Sequence, residues 1–240
     1  MKNKTNVVNR DERAGLQFYV NLVSKNTEFM IFKEDIALTT AELLLKIKAV
    51  KLSPKDLFTW ASGIKSPIYT DNRVTLSYPE IRTFIRQNFI AAIEQNNWEP
   101  ELIVGVATGG IPQGALVAQE LALPFAYVRS SRKDHGLSNQ IEGEVRSGQR
   151  AVIIEDLIST GSSSLGAVGA LKKAGCHVQG MLAIFTYSLG IAGTSFQNEN
   201  CPLVTLTDYD HLIKKALEIS YISEEDLVVL MEFKNGLEKK

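Results

Sequence analysis

Two cysteines, Cys176 and Cys201, are all that the 240-residue sequence contains. Neither sits in a CxxC pair or at metal-ligand spacing, so there is no disulfide framework and no zinc site to read. Two reduced thiols in a cytosolic protein are the expectation. Long apolar runs are missing too: nothing approaches the roughly 20 residues needed to cross a bilayer. The first thirty residues lack the apolar core of a secretory signal, which points to the cytoplasm. Nor does charge of one sign dominate. With 26 Lys and Arg against 27 Asp and Glu, the formal net charge is -1, which gives no global attraction for nucleic acid. The absence of a Gly-x-x-x-x-Gly-Lys-Ser/Thr string argues against a P-loop nucleotide hydrolase.

What is present is an ordinary globular composition, 45% hydrophobic and 22% charged, long enough for a substantial core. Residues 1–32 are polar and irregular apart from a short apolar patch at Leu16–Val23, and read as an N-terminal extension, a loose helix or a disordered tail. Well-patterned sequence follows Met30 directly, so translation can begin there; intact mass of the native protein would decide it. Residues 33–100 carry two helical patterns. "TTAELLLKIKAV" (39–50) has helical spacing, with Thr39 or Thr40 as its N-cap. "SYPEIRTFIRQNFIAAIEQNN" (77–97) repeats apolar residues every three or four positions from Ile81 to Ile93, with Pro79 suited to its first turn.

From residue 101 to 240 the texture changes. Short apolar runs at 101–108, 124–130, 151–156, 178–187 and 202–208 alternate with helical patterns at 112–122 and 162–175. That alternation predicts βαβ units and a parallel sheet covered on both faces. "SEEDLVVLMEFKNG" reads as a terminal helix, with Ser223 and Asp226 as a capping box and Gly236 as its stop.

The most informative stretch is "AVIIEDLISTGSSS" (151–164). A buried strand runs into two adjacent acids, Glu155 and Asp156, and then into a turn of small and hydroxyl residues. In open α/β sheets ligands bind beyond the carboxyl ends of the strands. Unpaired N–H groups and the dipole at a helix start favour an anion. Gly161 lets the backbone come close to a phosphate, and Thr160, Ser162 and Ser163 add hydroxyl donors. The carboxylates repel phosphate but accept hydrogen bonds from hydroxyls. A ligand with a phosphate at one end and vicinal hydroxyls at the other, such as ribose 5-phosphate, satisfies both halves. The acids also favour positive charge developing on the sugar ring.

Three further segments carry candidate chemistry. "GVATGGIPQG" (105–114) is a second Gly-rich strand-to-helix turn, where Thr108, Gly109 and Gly110 can form a nest for an anion. "VRSSRKDHGLSNQIEGE" (128–144) gathers Arg129, Arg132, Lys133 and His135 in a segment expected to be a mobile loop, a basic lid able to close over a diphosphate. His177 and His211 read as structural. "FTWASGIKSPIYTDNR" (58–73) combines turn chemistry with the flat faces of Trp60 and Tyr69 and the charges of Lys65, Asp71 and Arg73.

The 151–164 string resembles the phosphoribosyl-diphosphate signature of type I phosphoribosyltransferases. "WASGIKSPIY" and "KDHG" narrow the resemblance to the orotate phosphoribosyltransferases; it covers roughly residues 35–240. It implies an α/β fold, a parallel-sheet core flanked by helices with a small N-terminal hood. It also implies a magnesium-dependent, reversible transfer of phosphoribosyl from 5-phosphoribosyl 1-diphosphate to orotate, in pyrimidine nucleotide synthesis. The ring nitrogen N1 of orotate is then the nucleophile, and no protein nucleophile is expected.

By resemblance, Glu155, Asp156, Leu157, Ile158, Ser159, Thr160, Gly161, Ser162 and Ser163 bind phosphoribosyl diphosphate, together with Thr108, Gly109, Gly110, Arg129, Lys133 and His135. The catalytic set is Lys133, His135 and Asp156. Ser159, Lys65, Tyr69 and Thr70 line the orotate site. Magnesium rides mainly on the diphosphate, with no protein metal ligand, and the lid is shared across a homodimer, with no nucleic-acid or membrane partner. Three departures stand out: Ala61 and Ser130 occupy positions where many relatives carry lysine, and "FTYSLG" presents Tyr187 where some have arginine. Lys65 and Arg132 are candidates to compensate. The carboxylate of orotate is left to backbone N–H groups near Lys65–Tyr69 or to Arg73. The alternatives are another base-specific phosphoribosyltransferase, which "WASGIKSPIY" argues against, and a non-catalytic sensor of phosphoribosyl diphosphate, for which the leader is too short to supply a winged helix.

Overall fold

A computed structural model describes residues 30–60, 63–129 and 140–238. In chain order the elements are β1 (Met30–Ile31), α1 (Glu34–Lys46), β2 (Val50–Leu52), β3 (Phe58–Thr59), β4 (Lys65–Ser66), β5 (Ile68–Thr70), a 3-10 turn (Asn72–Ser77), α2 (Pro79–Gln95), β6 (Leu102–Val106), α3 (Gly110–Glu120), β7 (Phe125–Val128), β8 (Ile141–Glu142), β9 (Arg150–Ile158), α4 (Ser162–Lys173), β10 (His177–Thr186), α5 (Gly190–Asn198), β11 (Leu203–Asp208), α6 (Tyr209–Glu218) and α7 (Glu224–Glu238).

Seven strands form one sheet in the order β1-β11-β10-β9-β6-β7-β8. Every pairing is parallel except β7 with β8. The near-continuous apolar runs of β6 and β9 follow from burial on both faces. Val152 and Ile154 join the core under α1, α2, α3, α6 and α7 through Leu44, Ile85, Val117, Leu212 and Leu230. Ala151 and Ile153 point the other way, onto Val168 and Leu171 of α4 and Phe196 of α5. Two small antiparallel pairs, β2 with β5 and β3 with β4, stand apart from the main sheet.

Several expectations hold in detail. Pro79 opens α2. Ser223 and Asp226 form a reciprocal capping box, each backbone N–H donating to the other's side chain at 3.1 and 3.2 Å. Cys176 and Cys201 are buried and free. Other expectations are corrected. The first helix begins at Glu34, not at a threonine cap: Thr39 and Thr40 lie inside it and their hydroxyls donate to Asp35 and Ile36 one turn back. It ends before residue 50, because Lys48 takes a positive φ of 58° and Val50 enters a strand. Gly236 does not stop α7, which runs on to Glu238. Met30 and Ile31 pair with β11, and Phe32 is buried. The core therefore takes in the last residues of the stretch read as an extension; residues 1–29 lie outside the described part.

His211, read as structural, has a definite job. Its Nδ1 lies 2.7 Å from Asp208, the N-cap of α6, and its Nε2 lies 2.6 Å from Glu34 at the start of α1. Lys214 also reaches Glu34, at 2.8 Å. Burial opposes charge on the imidazole, but hydrogen bonds and charge from Asp208 and Glu34 outweigh it and raise the pKa from 6.5 to about 9. Stability from this raised value is complete below about pH 6.5 and fades as pH climbs through about 9. We expect thermal melts of the parent to decline across that window. His211→Gln should melt lower at pH 7, by about 2 kcal/mol of lost charged hydrogen bonding, and should flatten the profile.

Candidate active site

The site follows from a difference in register. β9 pairs with β10 as far as Ile158, opposite Thr186. Its pairing with β6 stops at Ile154, opposite Gly105. Beyond that point β6 has turned away through residues 107–109, and Glu155 and Asp156 emerge beside the opening. The result is a cavity of about 790 Å³. Its wall takes in Thr108 and Gly109 from the first turn, Asp156 and Leu157 from β9, Ser159 to Ser163 from the second turn, and Thr70 and Arg73 from the segment after β5.

The turn into α4 depends on Gly161. Its φ of +79° is left-handed, where a side chain is strained, and an added Cβ would stand 2.9 Å from the Phe196 ring. That conformation starts α4 at Ser162, so the unpaired first N–H groups of a 12-residue helix lie beside the cavity that Ser159, Thr160, Ser162 and Ser163 line. Among the sequence-predicted positions, Gly110 does not line the cavity. Its Cα packs on the acid strand instead, where a Cβ would meet the Ile154 carbonyl oxygen at 2.2 Å. Gly109 lies against Asp156 so closely that a Cβ would strike the carboxylate. The two Gly-rich turns and the acid pair are thus one packed unit. The Ala107–Thr108 peptide is cis.

The two acids, neighbours in sequence, have different surroundings. Glu155 is 5% exposed. One of its carboxylate oxygens accepts the Asp156 N–H at 2.9 Å, and the other accepts the Ser164 hydroxyl of α4 at 3.0 Å. Burial, reinforced by the adjoining Asp156 carboxylate, pushes its pKa well above the ordinary carboxylate range. Asp156 is half-buried on the cavity wall, and its backbone oxygen accepts from the Asn72 amide at 2.6 Å. Glu155 braces the strand from within; Asp156 faces the ligand space.

Other predicted residues divide by position. Ser159 and Thr70 reach the cavity; Ile158 is fully buried in the core. Lys65 and Tyr69 lie on the hood strands outside the cavity wall. Lys65 donates to Thr59 at 2.7 Å, and Tyr69 packs its ring 5.7 Å from Phe58, with the Lys51 ammonium 5.8 Å from its centroid. Arg129 follows β7 directly, 3.4 Å from Glu142. Lys133 and His135, with Arg132 and Ser130, lie outside the described residues, as do Ala61 and Ser62. The flanking Gln140, which donates to the Arg129 carbonyl at 2.8 Å, lines the cavity.

Sequence reasoning missed three supports. Asn72 ties the hood to the acid strand across 84 residues of chain. Ser164 holds Glu155, and the run of hydroxyls after the acids was the available signal for it. Tyr187 places its hydroxyl 3.2 Å from the Thr70 hydroxyl, within an aromatic cluster that includes Trp60 at 5.5 Å. Trp60 in turn meets Phe233 of α7 edge-on, and its indole N–H donates to the Ile68 carbonyl at 3.0 Å. Burial pushes the Tyr187 phenol up to about 12, so it acts as a neutral hydrogen-bonding group.

The mostly parallel sheet, with an acid pair near the end of its central strand and a hydroxyl-rich helix start beyond it, has the arrangement of a phosphoribosyltransferase, and the Phosphoribosyl transferase domain family matches residues 78–190. The chain is 57% identical over 200 residues to an orotate phosphoribosyltransferase of Streptococcus agalactiae, covering 83% of this chain and 96% of that one. It is 55% identical over 194 residues to the orotate phosphoribosyltransferase of Bacteroides thetaiotaomicron, covering 81% and 92%. The crystal structure of orotate phosphoribosyltransferase from Aeropyrum pernix superimposes with a TM-score of 0.66 at 28% identity, over 76% of this chain and 99% of that one. The chain belongs to the orotate phosphoribosyltransferase family.

Proposed function

We infer that the chain transfers phosphoribosyl from 5-phosphoribosyl 1-diphosphate to orotate, giving orotidine 5'-phosphate and pyrophosphate. The observation that carries the reading is the juxtaposition, in one cavity, of the Gly161 helix start with its hydroxyls and the Asp156 carboxylate. The helix start takes the 5'-phosphate, and Asp156 accepts from the ribose hydroxyls. As the bond from C1 to the diphosphate loosens, positive charge grows on the ring and Asp156 stabilises it. The N1 of orotate, its proton given up to solvent, then attacks C1 as pyrophosphate departs, so two substrates do the covalent chemistry and the protein supplies position and field. The nest at Thr108 and Gly109 offers N–H groups to the departing diphosphate. Thr70 and Ser159 border the base.

Among the described residues no three His, Cys, Asp or Glu side chains converge to hold a metal. The Asp156 carboxylate beside a phosphate cradle still fits magnesium, a cation that takes one or two carboxylates plus substrate oxygens. When bound it would neutralise diphosphate charge. Asp156 is the residue that would face it.

Arg129, Lys133 and His135 form the proposed lid, acting on the diphosphate of the partner subunit's site in a homodimer. The proposed place of action is the cytoplasm. Among the described residues no helix is long and apolar enough to cross a membrane. Pyrophosphate release measured in parallel with orotate, uracil, hypoxanthine and guanine tests the acceptor; turnover with a purine and not with orotate would refute it. Mixing inactive Lys133→Ala with inactive Asp156→Asn tests the sharing. We expect up to about a quarter of parent activity to return, since random pairing of equal amounts gives half the dimers one intact site of two. No recovery would place each lid over its own subunit.

A further inference from the structure

Orotate differs from uracil by one carboxylate, and the following rests on orotate being the acceptor. The cavity wall carries the carboxylates of Asp71 and Asp156 beside the buried Glu155, but among the described residues lining it only one cation, Arg73. A carboxylated base entering among such acids is repelled unless a cation meets it. Arg73 is set up for that encounter. Its Nε and Nη2 donate to the two oxygens of Asp71 at 2.7 and 3.0 Å, the forked geometry in which guanidinium groups hold carboxylates. The Arg73 side chain is 59% exposed, so the fork is within reach of a ligand.

Its position is fixed from the adjoining residue. Asn72 donates to the backbone of Asp156, so Arg73 leaves the chain one residue from a point pinned to the acid strand. Thr70, bordering the proposed base position, is three residues away and also lines the cavity. The charges of Asp71 and Asp156 both act on the guanidinium. Arg73 thus lies within electrostatic range of the acid assigned to the sugar, on the side of the cavity built by the hood.

We propose that Arg73 receives the carboxylate of the pyrimidine, taking over or sharing the fork now held by Asp71, and that it thereby selects orotate over uracil. Asp71 is the internal stand-in that keeps the guanidinium oriented while the site waits.

The test measures initial rates of pyrophosphate release for the parent, Arg73→Gln and Arg73→Lys, with orotate and uracil, at varied phosphoribosyl diphosphate. For Arg73→Gln the KM for orotate should rise about 10- to 100-fold, the usual effect of losing a charge-assisted pair. The KM for phosphoribosyl diphosphate and the kcat/KM for uracil should stay within about twofold of the parent, so the preference for orotate collapses by the same factor. Arg73→Lys keeps the charge but loses the fork and should recover part of the preference. An unchanged orotate-to-uracil ratio, or a loss appearing equally in the KM for phosphoribosyl diphosphate, overturns the proposal. A parent that ignores orotate refutes the acceptor assignment itself and this proposal with it. A parent that prefers orotate alongside an Arg73→Gln variant that keeps the preference refutes the Arg73 role alone.

Discussion

Asp156→Asn should lower kcat by about 100- to 1000-fold, the usual loss when a group aimed at developing transition-state charge is removed, and leave the fold intact. The substitution keeps the size of the side chain and its capacity to accept a hydrogen bond, so hydroxyl binding survives in part. What disappears is the negative charge beside C1 when the sugar is most cationic. The effect should therefore fall on kcat and kcat/KM alike, with a smaller change in the KM for phosphoribosyl diphosphate. Stability should hold, because the contacts to Asn72 and to Glu155 use the backbone oxygen and N–H of residue 156. Relief of repulsion should let the Glu155 pKa move back toward its ordinary range. Steady-state kinetics with a thermal melt decides the matter: a pure KM effect would reduce Asp156 to a ground-state binding group.

Gly110→Ala should cost about 3 kcal/mol of stability, the upper end of ordinary overpacking. The added methyl would point at the Ile154 carbonyl oxygen from 2.2 Å and at the Glu155 Cα from 3.1 Å. Both are backbone atoms of the central strand and cannot swing aside. Helix α3 must back away from β9, carrying the Thr108–Gly109 nest with it, so kcat/KM should fall as well. Gly169→Ala is the matched control. It lies in α4 with open space around the added Cβ and should gain up to about 1 kcal/mol from helix propensity. Urea unfolding should show the two midpoints moving in opposite directions at unchanged slope. A Gly110→Ala midpoint matching the parent would mean that the two turns are not interlocked as described.

The fold was legible where one side-chain pattern decided it. β6 and β9 announced themselves because strands buried on both faces read as continuous apolar runs, and Pro79 marked the start of α2 through its missing N–H. The start of α1 was hidden because Glu34 owes its place to Lys214 and His211, partners about 180 residues away. Thr39 and Thr40 imitated a cap from inside the helix, since their hydroxyls serve as well one turn back as at an end. The phosphate cradle could be read because Gly161 and its hydroxyls are local. The separation of Glu155 from Asp156 could be read only as far as strand parity, which sends them to opposite faces; which face is braced depends on Ser164 and Gly109 approaching from different elements. Asn72 was invisible for the same reason.

Adjacent residues of a strand project to opposite sides, and that parity assigns the two acids of β9 their separate duties. A single residue inserted into the strand upstream of them would exchange their places, turning the braced carboxyl outward and driving the reactive one under α4. Chemical type does not distinguish the reagent from the strut here; odd or even position along the chain does. Any relative whose acid pair has slipped by one should be expected to keep the shape of this pocket and lose its chemistry.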